Sequence, residues 1–410
     1  MRILIISQWF DPEPTFKGLA FARELVGLGH QVEVMTGFPN YPGGKLYPGY
    51  KLRLVQRETI EGISVIRVPL YPSHDASSIK RIMNYVSFAF SAALLGPILV
   101  KRADVVYVYH PPATVALPAI LLKLLRKMPF VYDIQDLWPD TLTATGMVRN
   151  RLILTCVDAW CRLTYRLADH IAVLSPGFKT LLHERGVPRD KVSVIFNWCD
   201  ETQITSMAQS EARKQEPDMA HRFNVVFAGT MGKAQALDAV IDAAALVVDR
   251  LPQVQFVFIG GGIEVERLKR LKEEKRAGNV LFLPRRPMTE IGSALCSADA
   301  LLVHLQDSPL FEITLPSKIQ AYLAMGRPII MAVRGDAARL LEQTDAGIAC
   351  IPEDAPSIAA AVERLVDIGQ ERRDEMGRNG ARFYRQELAL SVGVRKFERV
   401  LAGVAGVERR

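Results

Sequence analysis

"RILIISQWFDPEPTFKGLAFARELVGLGHQVEVMTG", residues 2–37, decides how this chain is built. Its residues 3–6, Ile-Leu-Ile-Ile, are apolar without alternation, the pattern of a strand buried on both faces. A polar loop through Gly18 follows, then "GLAFARELVGLGH" with apolar residues at helical spacing, then a second strand, "QVEVMTG". Strand, helix and strand at this spacing make a parallel βαβ unit. The opening apolar run is too short for a secretion signal, and polar "QWFDPEP" follows it at once, so it reads as a buried first strand.

Outward from that unit the alternation continues. "ISVIRVPL", "DVVYVYH", "PFVYDIQ", "HIAVLS" and "VSVIFN" are further strands. After Asn197 the pattern breaks into a polar stretch with no apolar face, which reads as a linker over 200–222. It then restarts with "NVVFAGT", "VQFVFIG", "NVLFLP", "ADALLVHL", "RPIIMAV" and "AGIACI", separated by helical patterns. The expected architecture is therefore α/β, with two Rossmann-like doubly wound domains over 1–199 and 223–387. At 410 residues the chain is too long for one ordinary core. Ligands of such sheets lie outside the carboxyl ends of the strands, so a site is expected where the two halves meet.

Hydrophobic content of 49% with 23% charged residues excludes a disordered chain. The formal net charge of +7 points to an anionic partner, whether nucleic acid, a phosphorylated metabolite or an acidic membrane. No basic run interleaved with aromatics appears, which argues against nucleic acid. The five cysteines form no CxxC pair, so neither a zinc site nor a disulfide framework is indicated, and a reducing compartment fits.

Four stretches carry candidate chemistry. "FAGTMGKAQALDAVIDAA" sets Gly229, Gly232 and Lys233 between a strand and a helix, where amide groups and an ammonium suit a phosphate. A plain βα turn with a solvated lysine is the competing explanation. "FIGGGIE" places Gly260, Gly261 and Gly262 after another strand and allows close backbone approach, without the full GxGxxG spacing. Arg285 and Arg286 in "LPRRPMTEI" could flank a base or phosphate, or simply be surface arginines. "EITLPSKIQAYLAMGRPII", residues 312–330, says most. Pro316 and Ser317 suit a helix start, with Ser317 as its cap. Its free amides would face a diphosphate. Glu312, in the loop before it, could accept hydrogen bonds from sugar hydroxyls, and Gln320 lies within reach of a ribose.

The order of these segments, together with "YDIQDLWPD" and "VIFNWCDE", resembles the retaining, nucleotide-sugar-dependent glycosyltransferases of family 4. Within them it is most like bacterial enzymes of surface polysaccharide assembly. The likeness runs over nearly the whole chain. It implies the GT-B fold, in which two Rossmann-like domains face a cleft and a C-terminal helix, here 388–410, crosses back to the N-terminal domain. It implies an acceptor site in that N-terminal domain and a UDP-sugar or related donor in the other. The family's pair of glutamates separated by seven residues falls on Glu312, matching the donor-sugar contact, and on Gln320, where the second acid is replaced by an amide that still accepts a hydrogen bond. Lys233 matches the cation that holds the diphosphate, although Ala234 and Gln235 stand where many members carry a further basic residue. Gly18, Gly229, Gly261, Arg285, Ser317 and Lys318 complete the implied donor contacts. Many members carry a histidine beside the reacting sugar; this chain has Gln135 and Asp136, so either Asp136 helps with the acceptor or the donor phosphate takes the proton. His110 could face the cleft or be a core histidine.

The resemblance further implies a reaction without a protein nucleophile or a bound metal, and no Asp-x-Asp element sits in a plausible cleft position. No cofactor beyond the nucleotide-sugar substrate is expected. The acceptor is hinted at by residues 82–100, which are uncharged and bracketed by Lys80-Arg81 and Lys101-Arg102. That length touches the membrane-spanning threshold. Asn84, Ser87, Ser91, Gly96 and Pro97 dilute the stretch, so a core helix or interfacial docking through Tyr85, Phe88 and Phe90 accounts for it better than a span. "LPAILLKLLRKMP" adds a second apolar and basic helix. A lipid-linked acceptor met at the inner face of the cytoplasmic membrane would explain both patterns. A nucleotide-sugar epimerase or a catalytically quiet protein on the same fold are the alternative readings.

Overall fold

The computed structural model describes residues 1–73, 78–144, 146–148, 150–199, 217–286 and 288–407. Most of the expected linker, 200–216, lies outside the described residues. The chain divides into two compact units, one formed by Met1–Phe196 with the segment from Gly393 on, the other by Asn197–Val392. Trp198 and Cys199 thus group with the second unit, where the Tyr384 hydroxyl accepts the Cys199 amide at 3.3 Å.

The first unit is an eight-stranded sheet: β1 (Arg2–Ser7), β2 (Gln31–Gly37), β3 (Gln56–Ile60), β4 (Ile63–Val68), β5 (Val105–Tyr109), β6 (Phe130–Ile134), β7 (His170–Val173) and β8 (Val192–Val194), in the order β3-β4-β2-β1-β5-β6-β7-β8. β5 and β6 are buried along their whole length, as expected of strands covered on both faces. All neighbours pair in parallel except β3, which runs antiparallel to β4 at the sheet edge. β3 was not among the expected strands. Its sequence, "QRETI", is mostly polar, because an edge strand need not be apolar on both faces.

The second unit carries six parallel strands, β9 (Phe223–Thr230), β10 (Val254–Gly261), β11 (Val280–Leu283), β12 (Ala300–His304), β13 (Ile329–Ala332) and β14 (Gly347–Ala349), ordered β11-β10-β9-β12-β13-β14. β9 is buried through Phe227 and opens to solvent over its last residues, Gly229 and Thr230. Its carboxyl edge is therefore where a ligand can reach the backbone.

One helix of the first unit, Ser78–Leu99, is long and apolar enough, by length and composition, to cross a membrane, and only 39% of its most apolar window is buried. Asn84, Tyr85, Phe88, Ala89, Ala92 and Ala93 turn inward. Ile79, Met83, Phe90, Leu94 and Ile98 lie on the opposite stripe and are exposed, Ile98 by 81%. Leu124 and Leu125 of the adjacent Ala116–Arg126 helix are exposed as well. The surface is rimmed by exposed Lys80, Lys101, Arg102 and Lys127.

Candidate active site

In the second unit the turn after β9 and the segment after its neighbour β12 meet. Gln306 donates its amide to the Ala234 carbonyl at 2.9 Å, and His304, buried at the end of β12, bonds the Gln235 carbonyl through Nδ1 at 2.8 Å. The Glu353 amide donates to His304 Nε2 at 3.1 Å. With Nε2 accepting, the proton sits on Nδ1 and the ring is neutral, and burial lowers its pKa further.

Glycines shape this edge. Gly229 has φ +140°. Gly260 and Gly262 have φ +146° and +153°, and a Cβ on either would meet the carbonyl oxygen of Gly229 or Met231 at 2.0 or 2.2 Å. Those two are thus spent on the chain's own close crossing of β9 and β10. Gly261 has open space around its Cβ position. Lys233 opens a single 3-10 turn, Lys233–Gln235, and its side chain is exposed; the Gly232 amide donates to Gln235 Oε1 at 3.0 Å. The longer helix begins only at Asp238. Arg285 is exposed beyond the end of β11.

The stretch after β12 differs in detail from expectation. Glu312 is not in an open loop but ends a short helix, Pro309–Glu312, with its side chain exposed. Gly335, at φ +74°, packs against it so closely that a Cβ there would lie 1.9 Å from the Glu312 carbonyl oxygen. That glycine went unnoticed in the sequence, although its place between a strand and a helix in "VRGDAARL" was the available signal. The next helix runs Lys318–Met325. Ser317 precedes it but makes no side-chain capping bond and already has helical backbone angles, which corrects the expected serine cap. Tyr322 locks the helix to β9: its hydroxyl accepts the Ala228 amide at 2.8 Å. Gln320 is buried, and among the described residues its Oε1 has no hydrogen-bond partner.

In the first unit, residues following β1, β2, β5 and β6 line the corresponding edge. Gln8 and Asn40 are buried and joined through Asn84 of the Ser78–Leu99 helix, whose Nδ2 donates to Asn40 Oδ1 at 3.1 Å and to the Tyr71 carbonyl at 2.7 Å. None of these amides stood out in the sequence; only the position of Gln8 directly after a buried strand hinted at one. Trp9 stacks on Tyr41 at 4.7 Å and meets Tyr85 edge-on at 6.4 Å. His110 is buried edge-on to Trp138 and Tyr132, at 5.8 and 5.7 Å, and burial pushes its pKa down to about 3, so the ring is neutral. Asp136 is half-buried, and desolvation pushes its carboxyl up to about 6. Gln135 donates to Asp133 Oδ1 at 2.8 Å. Gly18 begins the Leu19–Gly27 helix, where the Leu19 amide already donates to Asp11 Oδ2 at 2.6 Å. A Cβ on Gly18 would sit 2.3 Å from that oxygen, so close packing of Asp11 accounts for the glycine.

The comparisons with known proteins divide the chain similarly. A family model described as "Glycosyl transferase 4-like domain" matches residues 19–198, and one described as "Glycosyl transferases group 1" matches 222–367. The chain is 27% identical, over 385 residues, to the putative colanic acid biosynthesis glycosyl transferase WcaI of Escherichia coli (strain K12), covering 89% of this chain and 92% of that protein. It is 23% identical to the probable glycosyltransferase WbjE of Pseudomonas aeruginosa over 69% of this chain and 71% of the relative. The crystal structure of Anabaena HepE in complex with UDP-glucose superposes with a TM-score of 0.70 at 16% identity, covering 98% of this chain and all of that one, and shares the GT-B fold.

Proposed function

Since the chain belongs to the glycosyltransferases, with a 4-like domain followed by a group 1 domain, we propose that it is a retaining enzyme of bacterial cell-surface polysaccharide biosynthesis. It moves a hexosyl or N-acetylhexosaminyl group from a nucleotide sugar, with UDP-sugars favoured, to a lipid-linked saccharide, and works at the inner face of the cytoplasmic membrane. The name of WcaI supports the pathway, that of WbjE the activity, and the UDP-glucose bound by HepE the donor. The observation that carries the reading is the convergence beside Gly229 of a solvent-open strand end and the start of the Lys318–Met325 helix, with a buried, unpaired Gln320 Oε1 on its first turn.

In this reading the glycine edge and the amides at Ser317 and Lys318 hold the diphosphate, with Lys233 and Arg285 at its margin. Gln320 takes the ribose, and Glu312 grips the sugar hydroxyls. The acceptor oxygen attacks the anomeric carbon on the face that the leaving group departs. As the bond from that carbon to the diphosphate oxygen breaks and the new glycosidic bond forms, the acceptor proton passes to the leaving phosphate oxygen. The protein acts by positioning and by stabilising the departing charge. We take the reaction to need no bound metal.

Incubation with UDP-, GDP- and dTDP-sugars and a lipid-diphosphate-linked saccharide tests the whole reading. Nucleoside diphosphate should appear only with acceptor, the product should keep the donor's anomeric configuration, and turnover should survive a chelator. An altered free nucleotide sugar without nucleoside diphosphate would mean an epimerase, and no turnover of any donor a quiet protein. Glu312→Ala should abolish transfer yet bind bare nucleoside diphosphate normally, because that ligand has no sugar to grip. Near-normal turnover by Glu312→Ala would remove Glu312 from the sugar site.

A further inference from the structure

The Lys318 side chain is only partly buried as a whole, but its Nζ is withdrawn from solvent and, among the described residues, has no hydrogen-bond partner. It rests over the Phe227 ring, 3.5 Å from the centroid. It is also 3.5 Å from where a Cβ of Gly229 would stand, facing the strand end that opens to solvent. An ammonium has three donors and an interior position demands partners for them, and a ring face replaces only part of the lost hydration. Two residues on, Gln320 Oε1 is likewise buried and unpaired. Two orphaned polar atoms on one helical turn, beside a glycine edge, mark a place completed by something else.

We propose that the Lys318 ammonium is a phosphate ligand of the donor, meeting the diphosphate at the Gly229 turn; the proposal rests on the donor reading above and assigns the principal cation to Lys318 rather than Lys233. The exposed Lys233 side chain works in water, where an ion pair gains little. A cation at Lys318 works in a desolvated setting, where charge-assisted bonds to phosphate are strong. Burial lowers the Lys318 pKa from 10.5 to about 7. Among the described residues, desolvation alone shifts Lys318, and His304 of β12, which feels the Lys318 charge, is neutral as described, so no counter-charge is supplied. A diphosphate would supply one, so its arrival should draw a proton onto Lys318.

The test is calorimetric titration of the full chain with UDP, GDP, dTDP and inorganic diphosphate. If the wild type binds none of them, the donor reading itself fails. If it binds one, Lys318→Met should weaken that ligand at least 30-fold and leave the corresponding nucleoside within twofold, while Lys233→Ala weakens it no more than fivefold. Ligand-free Lys318→Met should melt no lower than the wild type, since it removes an unpaired buried cation; a lysine kept for packing would instead lower the melting temperature. Should the variant not fold, the wild type decides: titration at pH 8 in buffers of different ionisation enthalpy should register proton uptake approaching one per site. Binding by Lys318→Met within threefold of wild type, equal loss of the nucleoside, or binding without proton uptake would overturn the proposal.

Discussion

Asp136 leaves the carboxyl end of β6 half-buried, with its carboxyl held near 6 by desolvation. If it orients or deprotonates the acceptor, the ionised form is the competent one. kcat/KM should then be full above pH 7 and fall as the pH drops through about 6, and Asp136→Asn should lower the rate and erase that acidic limb. An acidic limb that persists in Asp136→Asn would free the residue from this role. The site residues differ in how far the sequence announced them. Glu312 and Gln320 stand out as candidates because spacing is a property of the chain itself. The partner of Gly18 was not, since Asp11 reaches the Leu19 amide from eight residues away through a folded loop. For Lys318 the sequence offers a cation between Glu312 and Gln320 and a main chain at a helix start, but not the burial of its Nζ. Nothing local distinguishes a lysine whose Nζ lies over Phe227, far earlier in the chain, from one in water. The Ser317 cap failed for the opposite reason: a strong local preference yielded to a helix that the turn at Pro316 had already begun.

At the scale of elements, the parallel strands were legible because burial on both faces writes itself as unbroken apolar runs, whereas β3, at an edge, carries no such run. The Ser78–Leu99 helix was legible in length but not in orientation. Its composition allowed a core helix or an interfacial one, and packing reveals both in a single element. Asn84 and Tyr85 join the polar and aromatic edge of the sheet, while Ile79, Leu94 and Ile98 face outward. An apolar stripe with a basic rim fits an anionic bilayer surface. Replacing Lys80, Arg81, Lys101 and Arg102 with glutamine should move the protein from anionic vesicles into the supernatant, at about 1 kcal/mol per basic residue near the surface. Sedimentation indifferent to lipid charge and salt would count against this docking. The same helix carries the exposed apolar stripe and, through Asn84 and Tyr85, reaches the polar edge of the sheet, so the proposed docking would bring a lipid-linked sugar to that edge.

At the scale of the whole molecule, the two ends of the chain share one unit. The helix Leu390–Ala405 inserts Phe397 against Phe21 and Tyr107, with centroids 5.5 and 5.4 Å apart, and Lys17 Nζ lies 4.7 Å from its ring. Glu398 pairs with His30 at 3.6 Å. Phe397 is fully buried, so Phe397→Ala should cost the first unit about 3–5 kcal/mol. Calorimetry should show one transition lowered while nucleoside diphosphate binding, proposed for the second unit, persists; loss of both together would mean that the units do not unfold separately. The discontinuity also bears on how the protein is made. A ribosome releases the amino-terminal half first, and domains commonly close in that order. Here the first unit lacks its last helix until residue 393 and beyond have emerged, whereas the second is complete by Val392. The half translated later can therefore finish first, and a chain cut directly after Val392 would hold every residue of the second unit while the first unit still lacked its closing helix.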